Sequence, residues 1–252
     1  MLVFTCGETP AITVQEFLRH PLARSSQADH RAPSMSDLPA DPFTVGTEDA
    51  AADPPPVAAR KRPKTGERRV QILETLARML EQPGAERITT AALAARLEVS
   101  EAALYRHFAS KAQMFEGLIE FIESSVFTLI NQVMERETNA GVQARKVATV
   151  LLHFGEKNPG MTRVMVGDAL VFEHERLSAR MNQFFERVES QLRQCLRGAA
   201  ESGGSATPSV DAQVLASALV SLIIGRLQRY ARSGFKRLPT EHMEPALLRL
   251  TS

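Results

Sequence analysis

Two places in the sequence carry side chains that could support acid–base or metal chemistry. His153 lies within a predicted helix, and Glu173, His174 and Glu175 precede another. An imidazole beside carboxylates can bind a metal ion or move a proton, but a metal-binding helix needs a second histidine about four residues away. No histidine has that spacing, and no nucleophile–base pattern or phosphate loop accompanies these residues. The sequence therefore predicts no catalytic residue, no metal site and no cofactor. An enzyme that uses His153, or Glu173 with His174, is kept as a rival interpretation.

A second group of polar side chains, in residues 88–115, has the chemistry for contacting nucleic acid. This segment, ITTAALAARLEVSEAALYRHFASKAQMF, holds two short helical patterns separated only by Glu98, Val99 and Ser100. Two short helices joined by a tight turn form a helix-turn-helix, whose second helix can enter the major groove of DNA. Hydroxyl groups and cations placed there can contact phosphate oxygens. The predicted phosphate contacts are Thr89, Thr90, Ser100, Tyr105 and Lys111.

The side chains predicted to contact DNA base edges lie on the outer side of the second short helix, which is predicted over residues 101–108. The methyl group of Ala102 and the guanidinium group of Arg106 suit thymine and guanine edges. Glu101 can accept a hydrogen bond from cytosine, but an acid in the first turn of a helix is also favoured by the helix dipole. His107 completes the predicted DNA-binding set, although beside an arginine it is more typical of a solvated residue. Periodicity alone also fits two packed helices of an ordinary bundle.

The elements that must position these groups are predicted to be helical. Ala, Leu, Glu, Arg and Gln dominate, Trp is absent, and β-branched residues do not form alternating runs. Apolar residues recur at helical spacing in long segments that end at breakers such as Pro83 and Gly84. The longer helices are predicted over residues 66–81, about 110–137, 142–157, 175–197 and 211–232. The sequence thus predicts an all-α fold of about nine helices.

Charge is divided unevenly along the chain. The whole chain carries a net charge of +1, but residues 1–59 hold eight acidic and three basic residues. This leader is rich in Pro, Asp, Ser and Ala, a composition that favours disorder, and Met35 is an alternative start. Residues 60–69 then supply six basic residues against one acidic residue. Such a basic arm can follow the DNA backbone or reach into the minor groove.

The cysteine content and the apolar stretches favour a cytoplasmic setting. Cys6 and Cys195 are too few and too far apart for a disulfide framework, and Cys195 is expected to be a buried apolar residue. The amino terminus lacks the basic and apolar regions of a secretory signal. The most apolar stretch, residues 214–225, is shorter than the roughly 20 residues needed to cross a bilayer. We therefore expect a buried helix there and no membrane contact.

The block TTAALAARLEVSEAALYRHFASK resembles the DNA-binding domain of the TetR family of bacterial regulators. Its hallmarks are the threonine pair, Val-Ser at the turn, LYRHF at the end of the recognition helix and Ser-Lys before the next helix. Similarity continues through FGEKNPGMTRV, ALVFEHERLSARMNQFFERVESQLRQCLR and RSGFKRLPT to a branch of this family that acts in nucleoid occlusion. It implies a TetR-like fold in which residues 60–112 form the basic arm and helix-turn-helix domain and residues 113–252 form a helical dimerisation and partner-binding domain. Residues 1–59 have no counterpart in this resemblance, and their composition predicts a disordered N-terminal extension.

The same resemblance implies a function for the chain. It implies a homodimer that binds palindromic DNA across the nucleoid and inhibits assembly of the tubulin-like division protein FtsZ, with no small-molecule ligand required. FtsZ contact is implied near the fourth and fifth helices, at Phe121, Lys157 and Asn158. By periodicity Phe121 is equally a core residue, and the other two are ordinary residues at a helix C-terminus. The alternative is a ligand-responsive TetR-type transcriptional repressor, which a large pocket in the C-terminal domain would favour.

Three positions depart from the family pattern. Glu98 stands at the turn where the family commonly has glycine; if its φ is positive, a residue with a Cβ atom costs about 1 kcal/mol there. Ala109 replaces a common proline. Leu129 stands where a basic residue would strengthen the implied FtsZ surface. Two apolar helices, one over 175–197 and one over 211–232, are the expected four-helix dimer interface when two chains meet.

Overall fold

The computed structural model describes residues 65–82 and 87–251. Within these residues the chain forms nine α-helices and no β-strand, which confirms the all-α prediction. The predictions for the leader and for residues 60–64 of the basic arm lie outside the described residues. The helices are α1 (Thr65–Leu80), α2 (Thr90–Arg96), α3 (Glu101–Tyr105), α4 (Lys111–Arg136), α5 (Ala140–Lys157), α6 (Pro159–Met165), α7 (Glu175–Ser202), α8 (Pro208–Arg232) and α9 (Met243–Leu250), with a 3-10 turn at Asp168–Leu170.

Side-chain caps fix the starts of the three helices that follow α1. The hydroxyl oxygens of Thr89, Ser100 and Ser110 each accept a backbone N–H from three residues ahead, at 3.1, 3.3 and 3.2 Å. Each cap satisfies one of the four backbone donors that a helix start leaves unpaired. Because these signals are local, the starts of α2, α3 and α4 follow from the sequence.

The recognition helix α3 is shorter than predicted. It ends at Tyr105 rather than at residue 108, and the backbone N–H groups of His107 and Phe108 both donate to the Leu104 carbonyl. This tight end turns Phe108 into the core, where only 1% of its surface is exposed. The chain then reaches the extended conformation that Ser110 needs to cap α4.

α1 joins the helix-turn-helix to the rest of the molecule. It packs on α2, α4 and α6. The approach of α6 is close because Gly160 has no side chain: an added Cβ atom would lie 2.2 Å from the Ala77 carbonyl oxygen. The helix-turn-helix is therefore carried on the body of the molecule through a backbone contact.

The body is built around α4 and α5, with α7 and α8 as the most extensively packed helix pair. α8 extends over 25 residues and is long and apolar enough to cross a membrane by length and composition. The length argument made from residues 214–225 was therefore wrong. The fully buried side chains of Leu219, Ile223 and Leu227 nevertheless lie on a helix that packs against α5, α6 and α7, as in the core of a globular domain.

Glu98 adopts a left-handed backbone conformation at the turn between α2 and α3. Its φ is 55°, as the departure from glycine suggested. A Cβ atom is crowded against the backbone in this region, so the turn carries strain that glycine would not have.

Glu98→Gly should therefore raise the free energy of unfolding by about 1 kcal/mol, because it removes this crowding. The same change at Glu120, an exposed residue in the interior of α4, should lower the free energy of unfolding by about 1 kcal/mol. Thermal or urea unfolding of the two full-length variants measures both effects. If both variants lost stability equally, strain at the turn would be negligible.

Candidate nucleic-acid interface

The outer surface of α2, the turn and α3 carries most of the predicted DNA-binding side chains. Thr89, Glu101, Ala102, Tyr105 and Arg106 are all exposed in the structure. Tyr105 shows 46% of its surface, an unusual exposure for a large ring whose neighbour Leu104 is buried. The helix-turn-helix therefore presents this set on one side and its apolar residues on the other.

The capping hydroxyls keep the ability to bind phosphate. Thr89 and Ser100 use lone pairs to accept the backbone N–H groups of Ala92 and Ala103. A hydroxyl has one O–H donor in addition to its two acceptor positions, so each can still donate to a phosphate oxygen. The caps thereby orient the two hydroxyls that the sequence assigned to the DNA backbone.

A hydrogen bond joins the two helices of the motif. The Thr90 hydroxyl donates to Oε2 of Glu101 at 2.5 Å. This bond uses the only donor of Thr90, so in this conformation the hydroxyl holds Glu101 in place. Glu101 is thus fixed at the first position of the recognition helix, where a carboxylate can accept from a cytosine amino group.

Arg69 holds the far end of the recognition helix, a role that the sequence did not reveal. Its guanidinium donates to the His107 carbonyl oxygen at 2.6 Å and lies 4.1 Å from the centre of the Phe108 ring. The sequence analysis had assigned Arg69 to the basic arm, which was expected to contact the DNA backbone. The contact joins positions 38 residues apart, so no local sequence signal could have shown it.

His107 lies half-buried beside this contact. Its Nδ1 atom is buried and makes no hydrogen bond to the described residues. The ring is therefore turned partly inward, and the residue is only partly open to solvent. Its carbonyl group, held by Arg69, is the part of this residue with a defined structural role.

Lys111 begins α4, directly after the Ser110 cap. Its ammonium forms an ion pair with Glu173, and the two side chains are 26% and 10% exposed. The nitrogen also lies 5.7 Å from the centre of the Phe115 ring. The predicted phosphate contact is therefore at the edge of the helix-turn-helix but turned towards the body.

The three residues implied for partner binding do not share an exposed surface. Phe121 is 2% exposed, with its ring centre 5.8 Å from that of Phe154 on α5. Asn158 is 4% exposed, and its amide donates to the Phe154 carbonyl oxygen at 2.9 Å. The exposure expected of Phe121 is therefore corrected: the residue lies on the side of α4 that faces α5. Lys157 is exposed, whereas Leu129 is buried as well.

The residues weighed for acid–base or metal chemistry lie apart. His153 is exposed on α5, while the His174 imidazole caps α7 by accepting the Arg176 N–H at 3.2 Å. The described part of the chain holds no cluster of three or more His, Cys, Asp or Glu residues that could bind a metal ion. Cys195 is 2% exposed and burial raises the pKa of its thiol, as expected of a small apolar core residue.

Both parts of the chain match known regulatory families. Residues 72–118 match the bacterial regulatory proteins of the tetR family, and residues 138–251 match the SlmA-like form of the tetracyclin repressor-like C-terminal domain. PfmR of Thermus thermophilus, a TetR-family transcriptional regulator, superposes with a TM-score of 0.59 at 21% identity, covering 72% of this chain and 97% of that one. FadR of Bacillus subtilis superposes with a TM-score of 0.58 at 15% identity over the same shares. The fold and the helix-turn-helix surface define a TetR-type DNA-binding regulator.

Curated relatives give a narrower assignment. The nucleoid occlusion factor SlmA of Photobacterium profundum is 53% identical over 182 residues, covering 72% of this chain and 92% of that protein. SlmA of Idiomarina loihiensis is 53% identical over 175 residues, covering 69% and 89%. The chain belongs to the SlmA family of nucleoid occlusion factors.

Replacing Arg69 with methionine should weaken specific DNA binding about tenfold, because the recognition helix loses a charge-assisted hydrogen bond worth about 1.5–3 kcal/mol. Arg68→Met is the matched control, since Arg68 carries the same charge and its guanidinium donates to the nearby Gln71 side chain. Arg106→Ala should instead relax base preference at one position. Fluorescence anisotropy with a selected site and single-base variants measures all three, and equal losses in the Arg68 and Arg69 variants would mean that only charge matters.

Proposed function

We propose that this chain is a nucleoid occlusion factor. It binds palindromic DNA sites on the chromosome as a homodimer, inhibits FtsZ assembly beside them, and so prevents septum formation over the nucleoid. The observation that carries the proposal is the 53% identity to SlmA over 182 residues, which spans both the helix-turn-helix and the C-terminal domain. It acts in the cytoplasm, associated with the nucleoid, with no enzyme activity and no requirement for a small-molecule ligand.

DNA recognition divides between two kinds of contact in this proposal. The hydroxyls of Thr89, Ser100 and Tyr105 contact phosphates, where they fix the orientation of the motif without reading sequence. Thr90 supports this arrangement by holding Glu101 through a hydrogen bond. Lys111 adds a cation for a further phosphate contact. The base edges are read by Ala102, Arg106 and Glu101 at the exposed side of α3, with His107 at its end.

The outer face of α8 supports the homodimer. Val210 and Val214 are 61% and 66% exposed, although apolar residues of this size are usually covered. Small exposed residues continue the same stripe at Ser217, Ala218, Ser221 and Gly225. An added Cβ atom at Gly225 would meet nothing within 4 Å, so this face has room for a second helix. Two chains paired through α7 and α8 form a four-helix interface, and two recognition helices then match a palindrome.

The FtsZ surface is proposed around the end of α5 and the adjoining side of α4. Lys157 is the exposed cation there. Phe121 and Asn158 support the surface from within, since Phe121 packs against Phe154 and Asn158 bonds to its carbonyl group. These buried contacts set the spacing of α4 and α5, and the exposed residues beside them make the contact.

The proposed function is tested by sedimenting GTP-assembled FtsZ with the full-length protein, with and without a palindromic DNA obtained by in vitro selection. DNA should increase the loss of pelleted polymer, and a scrambled DNA of equal length should not. Lys157→Ala should reduce the loss while leaving DNA affinity unchanged. Tight specific DNA binding with no effect on FtsZ would instead favour the ligand-controlled repressor and a search for its inducer.

Homodimer formation through α8 predicts that Ala218→Glu gives a monomer. A carboxylate at this exposed position in the small-residue stripe would be buried without a partner in the four-helix interface. Thr128→Glu is the control, because it places the same charge on the exposed side of α4. Analytical ultracentrifugation measures the mass of each variant, and a dimer that survives Ala218→Glu would contradict the proposed interface.

A further inference from the structure

Three ion pairs tie the first half of α4 to the start of α7. All of them join one residue of α4 to one residue of α7 or of the turn before it, and all are at least partly shielded from solvent. The pairs are Lys111 with Glu173, Glu116 with Arg176 at 2.8 Å, and Glu123 with Arg180 at 2.6 Å. The hydrogen bond to the Glu123 carboxylate raises the pKa of Arg180.

The pair at the DNA-facing end differs from the other two. Its cation, Lys111, belongs to α4 and follows the recognition helix, whereas the other cations belong to α7. The Glu173 side chain is 10% exposed, less than the carboxylates of the other two ion pairs. The backbone of Glu173 is fixed as well, because its N–H donates to the Leu170 carbonyl oxygen at 3.0 Å. The lysine proposed to contact phosphate is thus held by a fixed carboxylate of the body.

We propose that Glu173 is a positioning residue for DNA binding, which holds the Lys111 ammonium in the free protein and releases it to a DNA phosphate. This rests on the proposed phosphate contact of Lys111. Phosphate and carboxylate compete for one flexible ammonium, and the phosphate gains from the release of counterions around DNA. The exchange leaves Glu173 without its cation in a largely buried position, which is costly. The turn before α7 therefore loosens when DNA is bound.

The loosening reaches the part of the molecule that DNA itself does not touch. α7 begins at Glu175, two residues after Glu173, and its first turn is closed by the Leu177 N–H donating to the His174 carbonyl oxygen at 2.9 Å. The pairs of Arg176 and Arg180 remain and keep the rest of α7 in place. α7 packs most extensively on α8, the helix of the proposed dimer face. DNA occupancy is thus communicated from α4 to the start of α7 by one exchanged ion pair.

The first test is a double-mutant cycle on DNA affinity in the full-length protein. Glu173→Gln should tighten binding to a selected palindrome about fivefold, because Lys111 no longer has to leave a carboxylate. In the Lys111→Ala background the same change should alter affinity less than about twofold, since no ammonium is exchanged. Glu123→Gln, which breaks the third pair far from DNA, should leave affinity unchanged. Glu173→Asp, with a shorter carboxylate, should give an intermediate affinity.

The second test is amide hydrogen exchange with and without DNA. Bound DNA should speed exchange in residues 173–178 of the wild-type chain and have no such effect in Glu173→Gln, where no buried carboxylate loses its cation. A purely structural role of Glu173 would loosen the turn but would weaken DNA binding equally in both backgrounds, which would overturn the proposal. So would unchanged exchange on DNA binding. If the wild-type chain bound no selected DNA, the proposed function would fail; specific binding that is indifferent to Glu173 would overturn the exchange alone.

Discussion

The backbone contact between α6 and α1 is the constraint on which the arrangement of the molecule depends. At Gly160 the two helices lie so close that a Cβ atom would come within 2.2 Å of the Ala77 carbonyl oxygen. Backbone contacts of this kind cannot adjust by changing a rotamer, so the position of α1 on the body is closely fixed. α1 in turn carries α2 and, through Arg69, the end of the recognition helix. The orientation of the DNA-reading surface is therefore set by residues far from DNA.

α4 is the second route between the two ends of the molecule. It starts at Lys111, beside the DNA-facing surface, and runs for 26 residues through the body. Gly117 lets it approach α1, since a Cβ atom there would lie 3.0 Å from a Leu73 methyl group. Beyond that point Phe121 packs against Phe154 and joins α4 to α5. A rigid helix packed in this way can transmit a change at Lys111 to the proposed FtsZ surface beside Phe121.

The proposed activities accordingly occupy different parts of one connected framework. In the proposal, the capping and exposed residues of α2 and α3 contact DNA, and the outer face of α8 binds a second chain. FtsZ binds near the end of α5. The ion pairs between α4 and α7 lie between these surfaces and contain the charged groups that can change partners. This arrangement gives a physical basis for the proposed dependence of FtsZ inhibition on DNA binding.

The sequence by itself determined the all-α class and the capped starts of α2, α3 and α4, because each depends on residues within about one helical turn of one another. Ser100, for example, caps α3 through the backbone N–H three residues ahead. The positive φ of Glu98 was raised only by comparison with the glycine common in the family, and the structure shows it. Only the tertiary structure decided that Arg69 holds the recognition helix, that Glu173 holds Lys111 and that Phe121 is buried. An amphipathic pattern gives a helix its apolar side but does not identify the helix that covers it. Contacts across tens of residues depend on how all the helices pack together, and no local pattern contains that information.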